Sequence, residues 1–131
     1  MARIDILIVV NVARAERTGL AGNLWMVDTN NNNMSSGEGG SELVTACTTG
    51  DKLVWTVTPI DADLNVSITG FTGAALNNNI ITPSKGTDGW TAHVNGVTHA
   101  NPRASGQYSM TLSVNGRSMT FDPFIDSSPQ P

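Results

Sequence analysis

Side chains with chemical potential are few in this chain, and most are oxygen donors. Asp28-Thr29-Asn30-Asn31-Asn32 sets an acid and amides at alternate positions, which is how the first half of a calcium loop presents oxygens to a hard cation. The second half departs from that pattern, since an EF-hand loop needs glycine where Asn33 stands and a bidentate acid where Gly39 stands. Asp28, Asn30 and Asn32, with Glu38 closing from further along, therefore outline a shallower candidate calcium site. Such a loop on a rigid scaffold suits calcium-assisted binding of sugar hydroxyls, and Trp90, just after Gly86-Thr87-Asp88-Gly89, is the tryptophan best placed to stack on such a ligand. The ordinary alternative is a polar connecting loop that binds nothing.

Catalytic machinery is not legible. His93 and His99 lie outside G-x-S-x-G, H-E-x-x-H or any related pattern, so no nucleophile has an oriented base. Asp61 with Asp63, and Asp122 with Asp126, are acid pairs that in a different context would hold a proton or a cation, but both read as solvated turn residues. Cys47 is the single cysteine, which excludes an intramolecular disulfide and a cysteine-rich metal site and fits a reducing compartment. Its apolar neighbours mark it as a small buried side chain. No cofactor is required by anything in the sequence.

The elements that must position these residues are strands. Ile4, Ile6, Ile8 and Val10 alternate with Asp5, Leu7 and Val9, so residues 3–12 form a strand partly buried on both sides rather than a cleavable leader, for which the apolar run is too short. Residues 13–23 read as a connection, and 23–28 as the second strand. Residues 42–48 and 52–60 are expected to pair as a hairpin across Thr49-Gly50-Asp51. Leu64, Val66 and Ile68 define a further strand face, as do Trp90, Ala92 and Val94. Trp25, Trp55 and Trp90 are all assigned inward positions. Tyr108, Met110, Leu112 and Val114 alternate with polar residues up to Asn115-Gly116, a pair that favours a type I′ hairpin turn. Pro123 restricts the last strand to an edge or a bulge, and residues 127–131 read as a disordered tail beyond a single domain spanning 1–126.

About eight or nine short strands without an amphipathic helix indicate an all-β, two-sheet antiparallel β-sandwich, immunoglobulin-like or jelly-roll-like. Composition agrees, because 39% of the residues are hydrophobic, enough for a real core, while only 14% are charged, leaving the surface to Asn, Thr and Ser. A formal net charge of −4 with scattered basic residues argues against non-specific nucleic-acid binding. No run approaches the roughly 18 apolar residues of a membrane span.

The opening Ile4-Asp5-Ile6-Leu7-Ile8-Val9-Val10, the strand Leu24-Trp25-Met26-Val27 leading to Ser36-Gly37-Glu38-Gly39, and the closing Gln107-Tyr108-Ser109-Met110 through Phe121-Asp122-Pro123-Phe124-Ile125 together resemble the AidA/PixA inclusion-body proteins of bacteria. The resemblance spans nearly the whole chain, on strand and turn patterns rather than a chemical signature. It implies a soluble, non-enzymatic bacterial protein, in places accumulated as cytoplasmic inclusion bodies and linked to host association or cell-density control; exposed sheet edges and a largely uncharged surface suggest that it acts by self-association or partner binding. It carries over no catalytic residue. In such a setting the sequons at Asn33 and Asn65 would go unused.

Overall fold

The computed structural model describes the chain apart from residues 1, 31–34, 88, 99–101 and 131. The described residues form ten strands and three short helices: β1 (Arg3–Val10), α1 (Val12–Thr18), β2 (Leu24–Asp28), β3 (Val44–Thr48), β4 (Lys52–Pro59), β5 (Val66–Thr72), α2 (Ala74–Asn77), β6 (Ser84–Gly86), β7 (Gly89–His93), α3 (Pro102–Ser105), β8 (Ser109–Val114), β9 (Arg117–Phe121) and β10 (Phe124–Ser128). They assemble into a five-stranded sheet ordered β2-β1-β4-β7-β6, a three-stranded sheet β5-β8-β9 and the pair β10-β3.

The mostly-β reading holds, with two corrections to its connectivity. The sheets are mixed rather than purely antiparallel, because β1 pairs with β4 in parallel and β10 pairs with β3 in parallel. The expected β3–β4 hairpin does not form. Asp51 fixes the turn between them, its Oδ2 accepting the Thr48 amide at 2.9 Å and its Oδ1 the Ala2 amide at 2.9 Å, and the two strands join different sheets, β3 pairing with β10. β4 then has β1 on one side and β7 on the other, which leaves no edge for β3.

Three local expectations also change. Part of the connection after β1 is α1, started by Asn11, whose side chain accepts the Arg14 amide, and ended by Gly19 at a φ of 91°. Its apolar stripe is only Val12 and Ala15, too short to register as a period. Ser127 and Ser128, assigned to the tail, instead complete β10 in register with Cys47 and Thr48. Between β5 and β7, α2 delivers Ile80 and Ile81 to the core, and Ile81 bridges Val94.

The alternation of β1 and β8 survives intact. Ile4, Ile6, Ile8 and Val10 point inward, as do Met110, Leu112 and Val114, all at 2% exposure or less. The β8–β9 hairpin turns through Asn115 (φ 50°) and Gly116 (φ 90°), the pair of positive φ values that a type I′ turn needs. The five-stranded sheet meets the three-stranded one through aromatic rings: Trp55 of β4 lies 4.7 Å from Phe71 of β5 and 5.9 Å from Tyr108, just before β8. The Trp55 indole N–H donates to the Tyr108 hydroxyl at 3.1 Å, so neither buried polar group is orphaned. Burial also lifts the Tyr108 hydroxyl above its usual pKa.

Candidate functional site

Asp28 ends β2 with its side chain turned inward, where Oδ2 accepts the Thr45 hydroxyl of β3 at 2.9 Å. Oδ1 accepts the Asn30 amide at 2.8 Å, a local Asx turn. The Asp28 amide donates to Glu38 Oε2 at 3.1 Å, and the Asn30 side-chain amide donates to the Ala46 carbonyl. Three of the residues singled out for calcium or ligand binding, Asp28, Asn30 and Glu38, thus come together at the end of β2, while Asn32 lies outside the described residues. Partial burial raises the Glu38 carboxyl above the ordinary carboxylate range; the Asp28 amide opposes this, and the neighbouring Asp28 carboxyl adds to it.

The same loop performs a structural task that its composition did not reveal. Met26, in the middle of β2, has its outward amide and carbonyl satisfied by Gly40 O at 3.0 Å and Gly39 N at 2.6 Å. On β3, the Ala46 amide donates to the Ser35 hydroxyl at 2.9 Å, and Val44 exchanges both backbone hydrogen bonds with Ser36. The loop therefore seals the free edges of two strands belonging to different sheets, which removes two templates for strand addition.

Trp90 is not part of this assembly. It sits on β7, two strands away from being β2's neighbour, at roughly 14 Å by the spacing of adjacent strands. Its indole N–H donates to the Ile68 carbonyl at 3.1 Å and its ring lies 5.2 Å from Phe71, so it is half-buried in the aromatic layer between sheets.

The remaining chemical candidates resolve into separate local roles. Asp61 accepts the Asp63 amide in an exposed turn, Asp122 accepts the Ser109 hydroxyl at 2.6 Å, and Asp126 accepts the Thr98 hydroxyl at 3.2 Å. His93 is exposed opposite Lys52, and His99 lies outside the described residues. Cys47 is buried; burial first, then the charges of Asp51, Asp126 and Asp28, push its thiol up to about 12, far from a reactive thiolate. Among the described residues, no group of three or more His, Cys, Asp or Glu side chains is arranged to hold a metal ion.

One surface was missed by the sequence reading altogether. Trp25, assigned inward, points out of β2 and is 37% exposed, as β2 buries Leu24, Met26 and Asp28 instead. In the β1–β2 register Trp25 stands opposite Val9, and Val27 (41% exposed) stands opposite Leu7 (37%), so the four share one outward face. The signal available in sequence was that both faces of β1 are apolar.

A family model described as a domain of unknown function, DUF8788, matches residues 2–120. The chain belongs to the DUF8788 family. No curated protein matches it. The DUF8788 chain is also similar to the crystal structure of an inclusion body protein, PixA, from Burkholderia cenocepacia J2315, with a TM-score of 0.62 and 14% identity over 98% of this chain and 95% of that one. The resemblance read from the strand and turn patterns thus extends to the fold over nearly the whole length of both proteins. Among the described residues of this DUF8788 domain, no helix is long and apolar enough to cross a membrane.

Proposed function

We propose that the chain is a non-enzymatic protein that acts by self-association, packing the outward face of β1 and β2 against a second copy. The observation that carries this reading is the cross-strand group Leu7, Val9, Trp25 and Val27, apolar side chains set side by side in solvent on a sheet whose inner face already holds the core. A contiguous group of exposed apolar side chains on one sheet face is a candidate contact surface. Tryptophan is also the side chain most enriched among residues that dominate interface energetics. The sealed edges of β2 and β3 favour face-to-face packing over strand addition at that end of the molecule. The fold likeness to an inclusion body protein supports a role in ordered accumulation, with the bacterial cytoplasm as its setting.

Sedimentation velocity over a wide concentration range tests it. The wild-type chain is expected to shift to larger species with concentration, and Trp25→Glu to remain monomeric with its melting temperature nearly unchanged, since Trp25 contributes little to the core. A wild-type chain that stays monomeric at millimolar concentration overturns the reading.

A further inference from the structure

Beside the edge-sealing loop lies a cleft of about 370 Å³, at the small end of the range for sites that take small molecules. Its lining includes two opposite charges, Glu42 and Arg103, and the hydroxyls of Ser36 and Ser41. The charges do not neutralise one another: among the described residues the ion pair within 4 Å is Arg3 with Asp5, on another face of the molecule. Arg103 is nonetheless held in place, because its guanidinium lies over the Phe124 ring at 4.9 Å from the centroid. A guanidinium presents N–H donors that can grip a carboxylate with two parallel hydrogen bonds.

The opposite wall is shaped by glycine. Gly37 adopts a φ of 77°, and a Cβ there would stand 2.9 Å from the Glu42 carbonyl oxygen, so the loop closes onto the 41–42 segment only without a side chain. A cleft lined by one cation, one carboxylate and neutral hydroxyls has no net charge but offers both signs. A simple anion meets Glu42 and a simple cation meets Arg103; a molecule carrying both charges satisfies both.

We propose that this cleft binds a small zwitterion of the free α-amino acid class, with its carboxylate on Arg103, its ammonium on Glu42 and its polar atoms on Ser36 and Ser41. This goes beyond the self-association reading, and its residues lie off the β1–β2 face.

Ligand-observed NMR of the full chain with each free L-amino acid in turn tests the proposal. At least one is expected to bind in the millimolar range or tighter, and both Arg103→Ala and Glu42→Gln are expected to weaken it at least tenfold. Both side chains are exposed, so each variant should keep a cooperative melt and report that the fold is intact, with Arg103→Ala lowered only by the loss of its contact with Phe124. The bound amino acid is then compared with its deaminated acid, its carboxamide and glucuronate. Comparable binding of the deaminated acid or of glucuronate shows a carboxylate site rather than a zwitterion site and overturns the proposal, as does no binding by any amino acid or binding that survives both substitutions. Sedimentation of Arg103→Ala separates the two readings: its association should equal the wild type's whatever the NMR shows.

Discussion

Glu38 illustrates how one side chain can be placed by sequence and yet be given its role by neighbours. It accepts the Asp28 amide while resting beside the Asp28 carboxyl, and its own carboxyl is raised by burial, then by that second acid. A carboxyl whose pKa is raised on folding stabilises the fold while protonated, and that contribution is lost as pH climbs through its folded value. Glu38→Gln keeps an acceptor for the Asp28 amide and removes the like charge. The variant is therefore expected to melt slightly higher than the wild type at pH 7, by no more than about 0.5 kcal/mol because the Glu38 carboxyl itself is exposed. The difference should vanish below the ordinary Glu range, where both forms are neutral. Thermal melts from pH 3 to pH 8 check the sign, and a variant that melts lower at pH 7 means that the ionised Glu38 is what holds the loop. Cys47 makes a complementary point: its apolar neighbours in sequence already marked it as buried, and the fold places it so on β3.

Among the elements, the turns were more legible than the pairings. Asn115-Gly116 announces its hairpin because both residues tolerate the positive φ that the turn demands, a property of the residues themselves. Gly73 is different, as nothing local marks it. It enters α2 at a φ of 112°, and a Cβ there would lie 2.9 Å from the Tyr108 Cα and 3.1 Å from the Ser109 amide, both backbone atoms that cannot yield. Gly73→Ala is expected to cost about 2 kcal/mol or more, from strain at positive φ together with the displacement of β8. Gly70→Ala, in the neighbouring strand, has open space around it and should cost within about 0.5 kcal/mol. Chemical denaturation of the two variants compares them directly. Equal losses would show that backbone approach at Gly73 is not limiting. The β3–β4 hairpin failed as an expectation for the corresponding reason: two adjacent strands with a short turn satisfy every local rule, but distant strands take the places, β1 and β7 flanking β4 and β10 pairing with β3.

For the whole molecule, charge and apolar surface act in opposite directions. A net charge of −4 makes two copies repel, while the Leu7, Val9, Trp25 and Val27 face draws them together without help from ion pairs. Self-association should therefore strengthen when NaCl is raised from about 20 mM to about 500 mM, as screening shortens the Debye length to a few ångströms. Association that weakens with salt would point to a charged interface elsewhere. The sequence by itself determined the strand content, the inward rows of β1 and β8, the β8–β9 turn and the absence of catalytic patterns, because each rests on period, residue type or turn chemistry within a few positions. Tertiary structure decided what depends on distant partners. It set which strands run parallel, that Ser127 and Ser128 belong to β10, and that Ser35, Ser36, Gly39 and Gly40 close two strand edges. It also decided that Trp25 faces solvent: a strand's side chains alternate whichever way it is turned, and only packing against Gly39, Gly40 and β1 chose Leu24, Met26 and Asp28 for the inside.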